Sequence, residues 1–176
     1  MSQRELAVVD YDTEWPRSFE TERRLLSRAL GKVALAILHI GSTAVPGLAA
    51  KPIIDILIEV TGLETLDTLN QEMRELGYEP RGEYGIPGRR FFEKGGDNRT
   101  HHIHAFRRGD FNITRHIAFR DYLRLHPEIA REYGELKKAI AATCWNDIER
   151  YCDRKDAYVK QLEATAVRAM APRHSL

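Results

Sequence analysis

Cysteine is scarce: Cys144 and Cys152 are the two in 176 residues. A small domain held by disulfides is therefore excluded. The pair lies eight positions apart in a stretch of helical pattern, too far for a local bridge, and neither forms a zinc motif alone. Both are expected to pack between helices. Long apolar runs are also missing, and none approaches the ~20 residues of a membrane span. The opening residues Met-Ser-Gln-Arg-Glu-Leu do not resemble a secretory leader, so the expected compartment is the reducing cytoplasm. An excess of one charge is absent too. Lys and Arg number 27 against 26 Asp and Glu, a net charge of +1. Without a strong field, nucleic acid and anionic membranes are not the expected partners, although a local basic cluster could hold a small phosphorylated molecule. Nor is there a repeat, a low-complexity tract or a linker, so residues 1–176 read as a single domain. Hydrophobic residues make up 43% of it, enough for a full core.

What is present centres on His39-Ile-Gly-Ser-Thr-Ala-Val-Pro-Gly-Leu-Ala-Ala-Lys-Pro-Ile-Ile-Asp55. The β-formers of Val33–Ile40 stop at Gly41-Ser42, and a second apolar run starts at Ile53 and continues to Val60. Gly41 allows close approach of the backbone to a ligand, and Ser42 offers a hydroxyl and a backbone N–H to a phosphate. Asp55 interrupts a run apolar enough to be buried on both faces, so its carboxylate needs a partner or a cation.

Before this stretch, Pro16 suits the first turn of a helix that Asp12 or Thr13 could cap and Gly31 ends. Trp15 is expected to pack. After it, Leu63, Leu66, Leu69, Met73 and Leu76 recur at helical spacing up to Gly77. Strand, loop, strand and helix point to an α/β domain with a mixed sheet. Gly82–Gly88 reads as a shaped loop, and Arg89-Arg90 opens a strand. The two arginines point to opposite faces, so only one should reach a given site. Gly95-Gly96-Asp97-Asn98 signals a hairpin. In the following strand His102, His104 and Phe106 share one face, and His101, Ile103 and Ala105 share the other. Two histidines spaced two apart can converge on a metal ion or a phosphate. From about residue 112 to 170 the pattern is helical, with Lys155 inside the apolar stripe of the last helix. There it could snorkel to solvent or contact a buried anion. The tail from Ala171 is expected to fray.

The motif from His39 to Ile56 resembles the signature of the GrpB family, as do Tyr11-Asp12-x-x-Trp15-Pro16, Gly85-Ile-Pro-Gly-Arg-Arg-Phe, Arg99-Thr-His-His-Ile-His and His116-Ile-Ala-Phe-Arg-Asp-Tyr-Leu. The resemblance covers roughly Val9 to Leu162. It implies a nucleotidyltransferase-like fold, an α/β mixed sheet with flanking helices and a helical C-terminal third. Gly41-Ser42 then takes the nucleotide triphosphate position, and Asp55 is the first metal-binding carboxylate. Family members occur alone or fused behind a dephospho-CoA kinase, which suggests nucleotide or coenzyme A metabolism.

The second carboxylate of an active nucleotidyltransferase, two residues after the first, is replaced here by Leu57. Glu59 shares the face but lies about 13 Å from Asp55 at strand rise. His102 and His104 stand where a third carboxylate is expected. Asp55, His102 and His104 are thus the candidate catalytic and metal-ligating residues, for Mg²⁺, Mn²⁺, Fe²⁺ or Zn²⁺. His39, Gly41, Ser42, Lys51, Arg89 and Arg90 are the candidate phosphate or nucleotide ligands. Three functions are compatible with this set. They are nucleotidyl or phosphoryl transfer to a small nucleotide-like substrate, non-catalytic binding of a nucleotide or coenzyme A-related ligand, and metal-dependent hydrolysis by the histidine cluster.

Overall fold

The computed structural model describes residues 5–171. The expectations for the first four residues and for the tail beyond residue 171 lie outside them. Five strands form one sheet in the order β1 (Ala34–Ile40), β2 (Ile54–Val60), β5 (His101–Arg107), β4 (Arg89–Lys94), β3 (Tyr78–Pro80). Only β2 and β5 run parallel, and the other neighbours are antiparallel. The sheet is mixed, as expected.

Alternation divides the sheet into two chemically different faces. Ile54, Ile56, Ile58 and Val60 point one way, with Ile103, Ala105 and Phe92, against α1 (Trp15–Leu30) and the short helices α2 (Leu63–Asp67) and α3 (Asn70–Glu75). Asp55, Leu57 and Glu59 point the other way, beneath α4 (Phe111–Leu125), α5 (Pro127–Ala142) and α6 (Ile148–Met170). On this face Leu57 packs with Ile40, Phe106 and Ile113. The three long helices build a further core around Leu123, Tyr133 and Leu162. Trp15 is buried, edge-on to Tyr11.

Two local expectations are corrected. The single helix over Leu63–Leu76 is broken, because the Thr68 hydroxyl bonds back to the Thr65 carbonyl at 2.6 Å and competes with the helix ladder. Cys144 is fully buried as expected, but Cys152 is exposed, since Tyr151 takes the inward position on α6. No helix among the described residues is long and apolar enough to cross a membrane.

Candidate functional site

The end of β1 and the start of β2 bring the Gly-Ser turn onto Asp55. Gly41 has φ +70° and ψ −171°, a region almost confined to glycine. A Cβ there would stand 2.6 Å from Asp55 Oδ2. Ser42–Ala44 then forms one 3₁₀ turn. The glycine is required by both the backbone angle and the carboxylate behind it.

Asp55 and His102 are register partners on the parallel strands β2 and β5. Asp55 Oδ1 lies 3.4 Å from His102 Nδ1 and 3.5 Å from His104 Nε2. The far nitrogen of each ring faces a guanidinium. Arg99 Nη1 is 3.4 Å from His102 Nε2, and Arg89 Nη1 is 3.3 Å from His104 Nδ1. A guanidinium can only donate, so each neutral ring carries its proton on the nitrogen that points at Asp55. Burial raises the Asp55 carboxyl, but the hydrogen bonds and charges of His102 and His104 outweigh it and hold the group below the usual carboxylate range. Burial lowers His104, and Asp55 only partly opposes this. The result is a carboxylate clamped by two imidazole N–H donors.

In front of Asp55 lies a cavity of about 460 Å³, whose wall includes Ser42, Lys51, Arg89, Lys137 and Lys155. Sequence reading reached all of these except Lys137, which lies on α5 and is 3% exposed. Its Nζ donates to Ser42 Oγ at 2.8 Å and sits 4.4 Å from the centre of the Tyr133 ring. Burial, then the neighbouring Lys155, lowers its pKa to about 7; Lys51 adds to the lowering and Asp55 opposes it. Lys155 Nζ lies 5.6 Å from the centre of the Tyr151 ring and Lys51 Nζ 5.4 Å from the same centre. The missed signal is a repeated spacing: Tyr133-x-x-x-Lys137 on α5 and Tyr151-x-x-x-Lys155 on α6 each place an amine over a ring one helical turn away.

Arg89 closes the opposite wall. Besides His104 it donates to the backbone carbonyls of Glu83 at 3.1 Å and Tyr84 at 2.5 Å. It thereby ties the Gly82–Gly88 loop to the Asp55 clamp. Tyr84 has φ +48° and stacks on Phe91 with ring centres 4.9 Å apart, giving the cavity an aromatic side.

Two expected phosphate ligands are placed elsewhere. Arg90 points to the other side of the sheet, where it forms a fork with Asp67 at 2.7 and 2.9 Å. His39 faces α1, stacked on Phe19 at 4.8 Å, and its Nε2 meets Thr43 Oγ1 at 2.9 Å. Burial lowers it to about 4; it supports the Gly-Ser turn from behind. Glu59 pairs with Arg108 at 2.7 Å, away from Asp55. Among the described residues, no group of three His, Cys, Asp or Glu side chains is arranged to hold a metal ion.

A family model described as "GrpB protein" matches residues 5–165. The UPF0157 protein YqkA of Bacillus subtilis is 46% identical over 165 residues, covering 94% of this chain and 48% of YqkA, so the chain spans about half that relative's length. The crystal structure of GrpB from Enterococcus faecalis superposes with a TM-score of 0.90 at 44% identity, covering 93% of this chain and 98% of that one. A cytoplasmic RNA terminal U-transferase superposes with a TM-score of 0.52 at 14% identity, over 74% of this chain and 40% of the other. That is a likeness of fold alone, and the fold is nucleotidyltransferase-like. Since the family match runs through every strand and helix that lines the cavity, the chain belongs to the GrpB family.

Proposed function

We propose that the cavity binds a small nucleotide-like phosphorylated ligand, with its phosphates against Ser42, Lys51, Lys137 and Lys155. One observation carries this reading. Four basic side chains, Lys51, Arg89, Lys137 and Lys155, each from a different part of the chain, line one cavity in which Asp55 is the one carboxylate among the described residues. Gathering like charges in a partly enclosed site is unfavourable in the free protein and is relieved by a polyanion. The Tyr84–Phe91 stack offers a planar surface to a ring.

The geometry favours binding over the two alternatives. A two-carboxylate Mg²⁺ site does not fit, because Leu57 is core and Glu59 is held by Arg108. A transition-metal site on Asp55, His102 and His104 does not fit either. Each imidazole would have to turn its lone pair to the metal and its N–H toward a guanidinium, placing two donors face to face. No step is therefore assigned to a metal.

A thermal-shift panel tests the reading: nucleotides, coenzyme A precursors and divalent metals, each with and without chelator. A phosphorylated ligand at a hundred times its Kd should stabilise by about 2.7 kcal/mol, a Tm rise of about 5–10 °C for a chain of this size. That rise should persist in chelator. Stabilisation by a transition metal alone, or by no phosphorylated ligand at millimolar concentration, would overturn the reading.

A further inference from the structure

We infer that the ligand carries a base at each end of its phosphate chain, as a dinucleoside polyphosphate does, and that its second base enters a smaller cavity adjoining the first. This rests on the phosphate-binding reading of the larger cavity and specifies the ligand class that the site prefers.

The second cavity has a volume of about 200 Å³. It shares Ser42, Asp55, His104, Tyr133 and Lys155 with the larger one. Its own walls come from three elements: Ile40 from β1, His116 and Phe119 from α4, and Val159 and Glu163 from α6. Ser42 and Lys155 therefore face both spaces and mark the place where a phosphate chain joins them. His104 marks the boundary. Its ring centre lies 5.3 Å from that of Phe91, which lines the larger cavity, and 5.1 Å from that of His116, which lines the smaller. One imidazole thus separates the Tyr84–Phe91 stack from the second cavity, and a short phosphate chain passing Ser42 and Lys155 reaches both.

The lining of the second cavity suits a base. Ile40, Phe119 and Val159 are apolar, and His116 and Glu163 are the polar groups that the larger cavity does not share. Arg115 on α4 holds both of them: its Nη1 donates to Glu163 Oε1 at 2.7 Å, and its Nη2 lies 3.4 Å from His116 Nε2. A guanidinium only donates, so the neutral His116 ring carries its proton on Nδ1. Burial, with the charges of His104 and Arg115 adding to it, lowers His116 to about 3 and keeps the ring neutral. Among the described residues, no side chain bonds His116 Nδ1 or Glu163 Oε2. A donor and an acceptor between apolar walls complement the edge of adenine, whose N6 amino group donates and whose N7 accepts. Other occupants fit less well. A further phosphate would be repelled by Glu163, and an alkyl group would leave the His116 N–H without a partner.

The test is calorimetric titration of the full chain, in chelator, with adenosine tetraphosphate and with diadenosine di-, tri- and tetraphosphate. Adenosine tetraphosphate has a free terminal phosphate and carries the larger negative charge, so tighter binding of a two-base ligand cannot come from charge. The tightest diadenosine ligand should bind about tenfold more tightly than adenosine tetraphosphate, as one added stacked base allows. Val159→Phe fills the second cavity and should bring that ratio close to one, and Glu163→Gln should lower it severalfold. Thermal melting without ligand checks that each variant folds. A ratio near one in the unaltered chain would overturn the inference while leaving the phosphate-binding reading intact, provided adenosine tetraphosphate binds. A ratio that Val159→Phe leaves unchanged would overturn it as well; should that variant not fold, an unchanged ratio in Glu163→Gln would do so. Failure of all four ligands to bind would overturn both readings.

Discussion

The Gly41→Ala substitution isolates the contact between the Gly-Ser turn and Asp55. At φ +70° and ψ −171° an alanine is strained by about 1–3 kcal/mol wherever it is placed. Here the added Cβ also meets Asp55 Oδ2 at 2.6 Å and Asp55 Cβ at 3.0 Å, distances that force the carboxylate away from its histidine clamp. A further ~1 kcal/mol is a fair figure for that displacement, about 3 kcal/mol in all. For a domain of this size that is a Tm loss of about 6–12 °C, read by thermal denaturation without ligand. Gly82→Ala is the control. Gly82 has φ +61° with nothing within 4 Å of its would-be Cβ, so it should lose only the conformational part. In an Asp55→Gly background, Gly41→Ala should cost about 1 kcal/mol less than in the wild type, because the atoms it strikes are gone. A Gly41→Ala loss no larger than that of Gly82→Ala, or an unchanged cost in the Asp55→Gly background, would refute the reasoning.

Further predictions follow from the same geometry. Asp55→Asn removes the one carboxylate that lines the cavity among the described residues, so nucleoside triphosphate should bind severalfold more tightly by calorimetry, in chelator and with divalent metal alike; a metal-holding Asp55 would give the opposite sign when divalent metal is present. His39 and His116 are lowered to about 4 and about 3, by burial first. The unfolded chain therefore binds more protons below pH 6.5, and stability must fall as pH drops from 6.5 toward 4. Denaturant titrations should show a loss of about 2–3 kcal/mol per histidine by pH 4.5, reduced in His116→Gln. Leu57→Asp, which would recreate a carboxylate pair, should destabilise by about 4 kcal/mol in chemical denaturation, because the side chain is fully buried beside Ile40 and Phe106. Arg89→Lys keeps the charge but loses the fork to two loop carbonyls, so amide exchange in residues 82–88 should accelerate while the remaining strands stay protected.

What could be read from the sequence was whatever depends on local period and on special residues. The unbroken apolar runs around Asp55 marked β2, and period two placed His102 and His104 on one face, where both now meet its Oδ1. The same alternation separated Arg89 from Arg90, and the structure decides which of them reaches the cavity. His39 was misplaced because proximity to Gly41 along the chain outweighed its parity: Ile40 is the register partner of Asp55, so His39 must face the other way. Lys137 was missed for another reason. On an isolated helix an internal lysine reads as a solvated or snorkelling residue, and only the docking of α5 onto the Ser42 turn turns it inward. The clamping roles of Arg89 and Arg99 likewise depend on strand register, which the sequence does not display.

The most direct test of a metal-free phosphate cavity is a crystal structure of the chain with a non-hydrolysable nucleoside triphosphate, grown with Mg²⁺ and Zn²⁺ both present. The account predicts phosphate oxygens at hydrogen-bond distance, about 2.7–3.0 Å, from Lys137 Nζ, Lys155 Nζ and the Ser42 turn, with His102 and His104 still directed at Asp55. A metal ion held jointly by Asp55, His102 and His104, or phosphates bound away from these lysines, would contradict it.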